Sequence, residues 1–263
     1  MKIGCCAGFD RYDELCELGY DCIELPGVAL AGMSDEEVEQ IRIKIAANRT
    51  KCDVLNFFCD ESLKLLGPDY SERRNTNYVA DLCRKAARLG VRFIGIGSPK
   101  SREIPQGFDR EKARMQCTRF LELAALEAEQ YGIRILFEPV NRYYCNFMNS
   151  LDETARFLEP MREFKIGMVV DFCHMFMMDE SLDELEKAMP YIQHVHLGHQ
   201  VKDGPRYHLT EEDVPWVEAA VNRLFELGYH GDFSFEVGPK ENFYKEAGTS
   251  LRLLKKMIEQ HEK

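Results

Sequence analysis

One pattern of apolar and polar positions recurs along the chain: an amphipathic helix, a glycine at its C-terminal end, then a short β-rich run. Leu18-Gly19-Tyr20 precedes Asp21-Cys22-Ile23-Glu24-Leu25, and Leu89-Gly90 precedes Val91-Arg92-Phe93-Ile94-Gly95-Ile96. Tyr131-Gly132 precedes Ile133-Arg134-Ile135-Leu136-Phe137-Glu138, and Leu227-Gly228-Tyr229 precedes Asp232-Phe233-Ser234-Phe235-Glu236-Val237. Glycine suits a helix end where the backbone turns left-handed before the next strand. Four such junctions predict repeated strand–helix units and a parallel sheet.

Less obvious runs bring the predicted strands to eight: 2–7, 21–25, 52–58, 92–97, 133–138, 166–171, 192–197 and 232–237. Each is followed by a segment long enough for a helix, such as 109–131 or 211–227. With no linker or low-complexity stretch between them, these units predict a single α/β domain over 1–263, a closed (β/α)8 barrel. A doubly wound open sheet is the structural alternative. The length of 263 residues matches the roughly 250 typical of such a barrel. The longest loops are predicted at 67–77 and 98–109, on the side where strands three and four end.

Composition narrows the class. An apolar fraction of 45% supports a full core without disulfide or metal staples. The ten cysteines form no CxxC pair and sit inside apolar runs, as small hydrophobes do. With a start that reads directly as a strand, free thiols predict a reducing, cytoplasmic setting. No apolar run reaches the ~18 residues of a membrane span. Thirty-four basic against 45 acidic residues give a net charge of −11, which repels phosphate backbones and argues against nucleic acid as a partner.

The candidate chemistry lies where predicted strands five to eight end. Glu138, Asp171, His196 and Glu236 occupy those ends. In a barrel the C-terminal ends of the strands ring one mouth, so side chains distant in sequence converge there. Three carboxylates and an imidazole make a hard, mostly oxygen donor set. It suits one divalent ion, Mn²⁺ first, with Mg²⁺, Co²⁺ or Zn²⁺ as alternatives.

The same residues carry a family resemblance. Phe137-Glu138-Pro139-Val140-Asn141-Arg142 resembles the Glu-Pro-x-Asn motif of the sugar phosphate isomerase/epimerase family, the xylose-isomerase-like TIM barrels. Asp171-Phe172-Cys173-His174 is similar to its Asp-x-x-His motif, His194-Val195-His196 to its seventh-strand His-x-His, and Phe235-Glu236 to its final-strand Glu. The motifs fall in family order. The resemblance implies that Glu138, Asp171, His196 and Glu236 hold the metal and that Glu138 and Glu236 are the acid–base pair. The implied activity is that of a ketose 3-epimerase-like enzyme acting on a small sugar or polyol. A metal chelating a carbonyl and its neighbouring hydroxyl acidifies the C–H between them and stabilises the enediolate. Carboxylates on its two faces would invert a stereocentre, whereas one base would move the carbonyl.

Further candidates surround this set. His174 could hydrogen-bond a substrate oxygen, and Arg206 stands roughly where the family has an arginine that polarises the carbonyl or binds phosphate. His208 and Lys202 are lesser candidates nearby. Ser98, Lys100 and Arg102, in the loop after strand four, form a candidate anion cradle. Glu24 and Asn56 could touch substrate hydroxyls, and His194 is expected inside the barrel, bonded to its neighbours. Two departures from the ketose 3-epimerases touch substrate contacts: Tyr143-Tyr144 where those enzymes carry a further Glu, and Arg206-Tyr207-His208-Leu209-Thr210 where they have a Pro-Gly-x-Gly turn. The alternative is a lyase on the same scaffold, dehydrating an inosose or cleaving an oxo-glycoside. Apurinic endonuclease chemistry is disfavoured by seven histidines and the acidic charge. Association into a homo-oligomer is left open.

Overall fold

In the computed structural model, which describes residues 1–199, 205–238 and 241–261, eight parallel strands close into a barrel in sequence order. They are β1 (Ile3–Cys6), β2 (Cys22–Pro26), β3 (Lys51–Asn56), β4 (Phe93–Ile96), β5 (Arg134–Phe137), β6 (Gly167–Asp171), β7 (Ile192–Leu197) and β8 (Asp232–Phe235). β8 pairs with β1 through Ile3 opposite Phe233 and Cys5 opposite Phe235, so the sheet has no free edge. That closure rules out the open doubly wound alternative.

The helices ring the barrel. They are α1 (Tyr12–Leu18), α2 (Gly27–Gly32), α3 (Asp35–Ala46), α4 (Glu72–Leu89), α5 (Arg110–Glu129), α6 (Leu151–Leu158), α7 (Phe172–Met177), α8 (Glu184–Ala188), α9 (Val214–Glu226) and α10 (Phe243–Ile258). Gly19, Gly90, Gly132 and Gly228 all take positive φ, at 82°, 83°, 70° and 81°. After each, the next amide reaches back five residues: Tyr20 to Leu15, Val91 to Ala86, Ile133 to Ala128 and Tyr229 to Leu224. This bond satisfies a helix-end carbonyl and aims the chain at the following strand.

Several boundaries differ from expectation, each for a local reason. β3 stops at Asn56 rather than 58 because Phe57 turns left-handed, at φ 42°. The loop expected over 67–77 ends early, since the Ser71 hydroxyl accepts from the Arg74 amide and starts α4 at Glu72. The 98–109 loop is as expected, closed by Asp109 capping α5. Glu138 and Glu236 fall one residue beyond β5 and β8. Their amides still continue the ladder, bonding the carbonyls of Ile96 and Leu197 at 3.1 Å.

The register puts Cys6, Glu24, Asp171, His196 and Ser234 on the inner face of the barrel. The outer faces of the strands pack on the helices. Phe58, fully buried behind β3, meets Tyr78 of α4 and Phe120 of α5 with ring centroids 5.1 and 5.8 Å apart. Burying such a side chain contributes about 1.5–3 kcal/mol. At the N-terminal end of the barrel, Lys2, Asp53, Arg92 and Asp232 form an ion network. Among the described residues no helix is long and apolar enough to cross a membrane.

Candidate active site

The closed barrel brings Glu138, Asp171, His196 and Glu236 together at its C-terminal mouth, with one donor atom from each within 4.8 Å of the others. Their local settings differ. Asp171 is the N-cap of α7: its Oδ1 accepts from the amides of Cys173 and His174 at 2.6 and 3.0 Å, leaving Oδ2 for the site. Glu138 fits because residue 97 is glycine. An added Cβ there would lie 2.3 Å from Glu138 Oε2.

Behind these donors lies a buried layer. Glu24 is fully buried and accepts from Nε2 of both His194 and His196, each at 2.9 Å. A carboxylate in a barrel interior carries a desolvation penalty of several kcal/mol unless paired. Burial alone would raise its pKa, but His196 and then His194 outweigh that and hold it below the usual carboxylate range. Glu24 therefore orients two rings and is turned away from the cavity wall, contrary to the expected contact with substrate hydroxyls. His194 takes the interior position expected of it.

With Nε2 committed to Glu24, His196 presents Nδ1 to the mouth, 3.6 Å from Glu236 Oε2 and 4.0 Å from Asp171 Oδ2. His196 Nδ1 and Glu138 Oε1 are both buried and have no hydrogen-bond partner among the described residues. Two unpartnered buried ligand atoms facing a cluster of carboxylates fit a cation, which would bind there in place of protons. A second grouping, Cys6, Glu24 and His196, is less suited, because its carboxylate is already engaged by both imidazoles. Burial, and then the neighbouring Glu236, push the Glu138 carboxyl up to about 8. Burial would raise Glu236 too, but His196 and Arg206 hold it well below the usual range. A divalent ion at the cluster would favour the ionised form of both.

Arg206 reaches into the same cluster. Its Nη1 donates to Asp171 Oδ2 at 2.6 Å and Glu236 Oε2 at 2.5 Å, and Nη2 lies 2.9 Å from His174 Nε2. Asn141, of the Glu-Pro-x-Asn segment, donates from Nδ2 to His174 Nδ1 at 2.7 Å. Burial and then Arg206 keep the His174 pKa well below its ordinary value, so the ring is neutral. His174 Nε2 is 3.7 Å from Glu138 Oε1. Asn56 closes the far side, its Nδ2 lying 3.4 Å from Glu236 Oε1.

Other candidates do not converge on the site. Ser98 lines the cavity, but its hydroxyl is spent on the Cys59 backbone, donating to the carbonyl and accepting from the amide at 3.0 Å each. Lys100 points outward toward Glu61, 3.9 Å away. Arg102 is fully buried: its guanidinium stacks 4.4 Å over Phe137 and donates to the Glu138 carbonyl. It props up a loop instead of cradling an anion. Lys202 lies outside the described residues.

His208 turns into the packing between the barrel and α10, 3.2 Å from Ser250 Oγ and edge-on to Phe243. Burial lowers its pKa from 6.5 to about 4. As pH falls below about 6.5, the unfolded chain takes up a proton the folded chain refuses, so this residue's share of stability should be lost between pH 6.5 and 4. The loss should be on the order of 3 kcal/mol. Urea midpoints across that range should fall more steeply for the native protein than for His208→Asn, and parallel curves would refute the assignment.

Two of the four donors, Glu138 and Glu236, line an open cavity of about 610 Å³. Its inner wall comes from Cys6, Asn56, Glu138, His174, Arg206 and Glu236, and its outer wall from mostly apolar or small residues. Phe57 and Ser98, both lining it, hold left-handed backbones at φ 42° and 34°. Such strain costs about 1–3 kcal/mol each and tends to cluster at functional sites. Sequence reasoning misses three residues here: Phe57, Asn141 as the holder of His174, and Gly97 as the room for Glu138. For Gly97 a signal was available, since glycine at a strand end often marks a close approach.

Comparison with known proteins agrees with this architecture. The family model of the xylose isomerase-like TIM barrel matches residues 12–257. The chain is 23% identical over 228 residues to a D-psicose 3-epimerase of Ruminiclostridium cellulolyticum, covering 85% of this chain and 76% of that one. Among solved structures, a 3-keto-D-glucoside 4-epimerase from E. coli superposes with a TM-score of 0.77 at 17% identity, covering 98% and 99% of the two chains. The IolI protein, solved with a bound zinc atom, superposes with a TM-score of 0.76 at 17% identity over 99% of both. Motif order, barrel closure and a match spanning nearly the whole sequence agree, and the chain belongs to the xylose isomerase-like TIM-barrel family.

Proposed function

We propose that this protein is a divalent-metal-dependent epimerase or isomerase of a small keto sugar, acting by proton transfer next to the carbonyl. The observation that carries the reading is that Glu138 and Glu236 both line the cavity beside a donor set with two buried atoms lacking a hydrogen-bond partner among the described residues. The D-psicose 3-epimerase and 3-keto-D-glucoside 4-epimerase among its relatives and structural neighbours support it.

Glu138, Asp171, His196 and Glu236 would hold the ion, and Mn²⁺ suits three carboxylates and one imidazole. When bound, the ion supplies positive charge beside the substrate carbonyl and its neighbouring hydroxyl, which acidifies the intervening C–H. The protein's groups do the rest. Glu236 and Glu138 remove a proton from one face of the sugar carbon and return one to the other. His174, neutral and fixed by Asn141, hydrogen-bonds a substrate oxygen. Arg206 counters the negative charge that develops there.

Metal titration tests the site. Chelator-treated protein should bind one Mn²⁺ per chain, and His196→Ala should abolish tight binding. Glu24→Ala should weaken binding about 10–100-fold, because the ring loses the partner that orients it. Affinity should fall as pH drops and protons compete for the ligands. Native affinity in both variants would remove this cluster as the cation site.

A further inference from the structure

The outer half of the cavity is built unlike the inner half. Its residues are Ala7, Gly8, Pro26, Phe57, Tyr144 and Val237, which offer surface and shape but no charge. Two of them are aromatic and exposed. Phe57 is 51% exposed although its neighbour Phe58 is completely buried. The left-handed backbone at φ 42°, pinned where the Val28 amide donates to the Phe57 carbonyl at 3.1 Å, holds this ring out of the core. Tyr144, 45% exposed, stands edge-on to His174 with centroids 6.0 Å apart, so its ring begins where the reaction centre ends. A strained, exposed phenylalanine contributes little to the fold, and its position makes sense as a contact for a ligand.

Three observations say what that ligand is. A cavity of about 610 Å³ lies within the roughly 300–1,000 Å³ of sites that take drug-sized molecules, more than one sugar ring requires. Small residues at the rim, Ala7 and Gly8, leave the mouth open instead of sealing a lone sugar from water. Among the described residues, Arg206 is the one cationic side chain on the wall, and its guanidinium is committed to Asp171 and Glu236. Among the described residues, a phosphate on the substrate would meet no free counter-charge and would face Glu138 and Glu236. A second sugar ring, by contrast, presents apolar C–H faces that pack on aromatic side chains while its hydroxyls stay in water.

We infer that Phe57 and Tyr144 form an outer subsite for a second pyranosyl ring, so that the substrate is a keto-glycoside rather than a free or phosphorylated ketose. This rests on the proton-transfer reading above and specifies its substrate class. The reacting ring sits among Glu138, His174 and Glu236, and the glycosidic bond points out of the mouth toward the two aromatics.

The test uses the Mn²⁺-loaded protein and four probes: methyl 3-keto-α- and 3-keto-β-D-glucopyranoside, 3-keto-trehalose and 3-keto-cellobiose. Binding is measured by calorimetry and enolisation by deuterium wash-in from D₂O. At least one disaccharide should bind about tenfold more tightly than the methyl glycoside of the same anomer. Phe57→Gly, which keeps the left-handed turn and relieves its strain, should reduce that ratio toward one, and so should Tyr144→Ala. Equal affinities within both pairs, no binding of any probe, or a ratio unchanged in both variants would overturn the subsite. The two readings fail separately. Wash-in without a preference for disaccharides removes only the outer subsite, whereas a disaccharide preference with no wash-in removes only the proton-transfer chemistry.

Discussion

Glu236→Gln, and separately Glu138→Gln, should lower turnover at least ~10²-fold, the lower end for losing a positioned acid or base. Each change is nearly isosteric, so the barrel should fold as before. Each residue is also a proposed ligand, so metal content must be measured on the same samples. Burial and Glu236 raise the Glu138 carboxyl, while His196 and Arg206 lower that of Glu236. Removing the charge of Glu236 therefore relieves Glu138 as well. Each variant keeps a base for one face, so each should still exchange deuterium into one epimer. Near-native turnover in either metal-loaded variant would refute the two-base account.

Gly97→Ala should be almost as damaging without touching a chemical group. The added methyl would fall 2.3 Å from Glu138 Oε2, so the carboxylate must move. A displacement of about 1 Å at a reacting group can cost on the order of 10² in rate. The control is Gly32→Ala at the end of α2, where an added Cβ meets nothing within 4 Å. Turnover should collapse in the first variant and persist in the second, with metal content reported for both. Unchanged turnover in Gly97→Ala would mean that the position of Glu138 is not critical.

What could be read from sequence, and what could not, divides by the range of the interactions. The glycines at 19, 90, 132 and 228 announced their junctions because a left-handed helix end is a local demand that one residue type meets. The four clustered donors were legible because barrel topology carries strand ends to one place, whatever their separation. Glu24 was misread as a substrate contact because its partners lie 170 and 172 positions away, and no local pattern records that pairing. Arg102 was misread because an arginine in a loop beside small residues looks like an anion site. Its surroundings, Phe137 and the Glu138 carbonyl, come from the next strand. The left-handed turn at Phe57 falls on a phenylalanine instead of a glycine or asparagine, so nothing at that position betrays it, and β3 ends two residues earlier than expected.

The central claim is proton transfer at a carbon beside a carbonyl, between two carboxylates. It is tested most directly by running turnover of a keto-sugar substrate in D₂O and locating the label by NMR. If Glu138 and Glu236 act on opposite faces, solvent deuterium should appear on the carbon whose configuration changes, because each glutamate exchanges its proton with solvent between turnovers. Transfer of the substrate's own hydrogen to the neighbouring carbon would indicate a one-base isomerase, and inversion with no deuterium at that carbon would contradict the account.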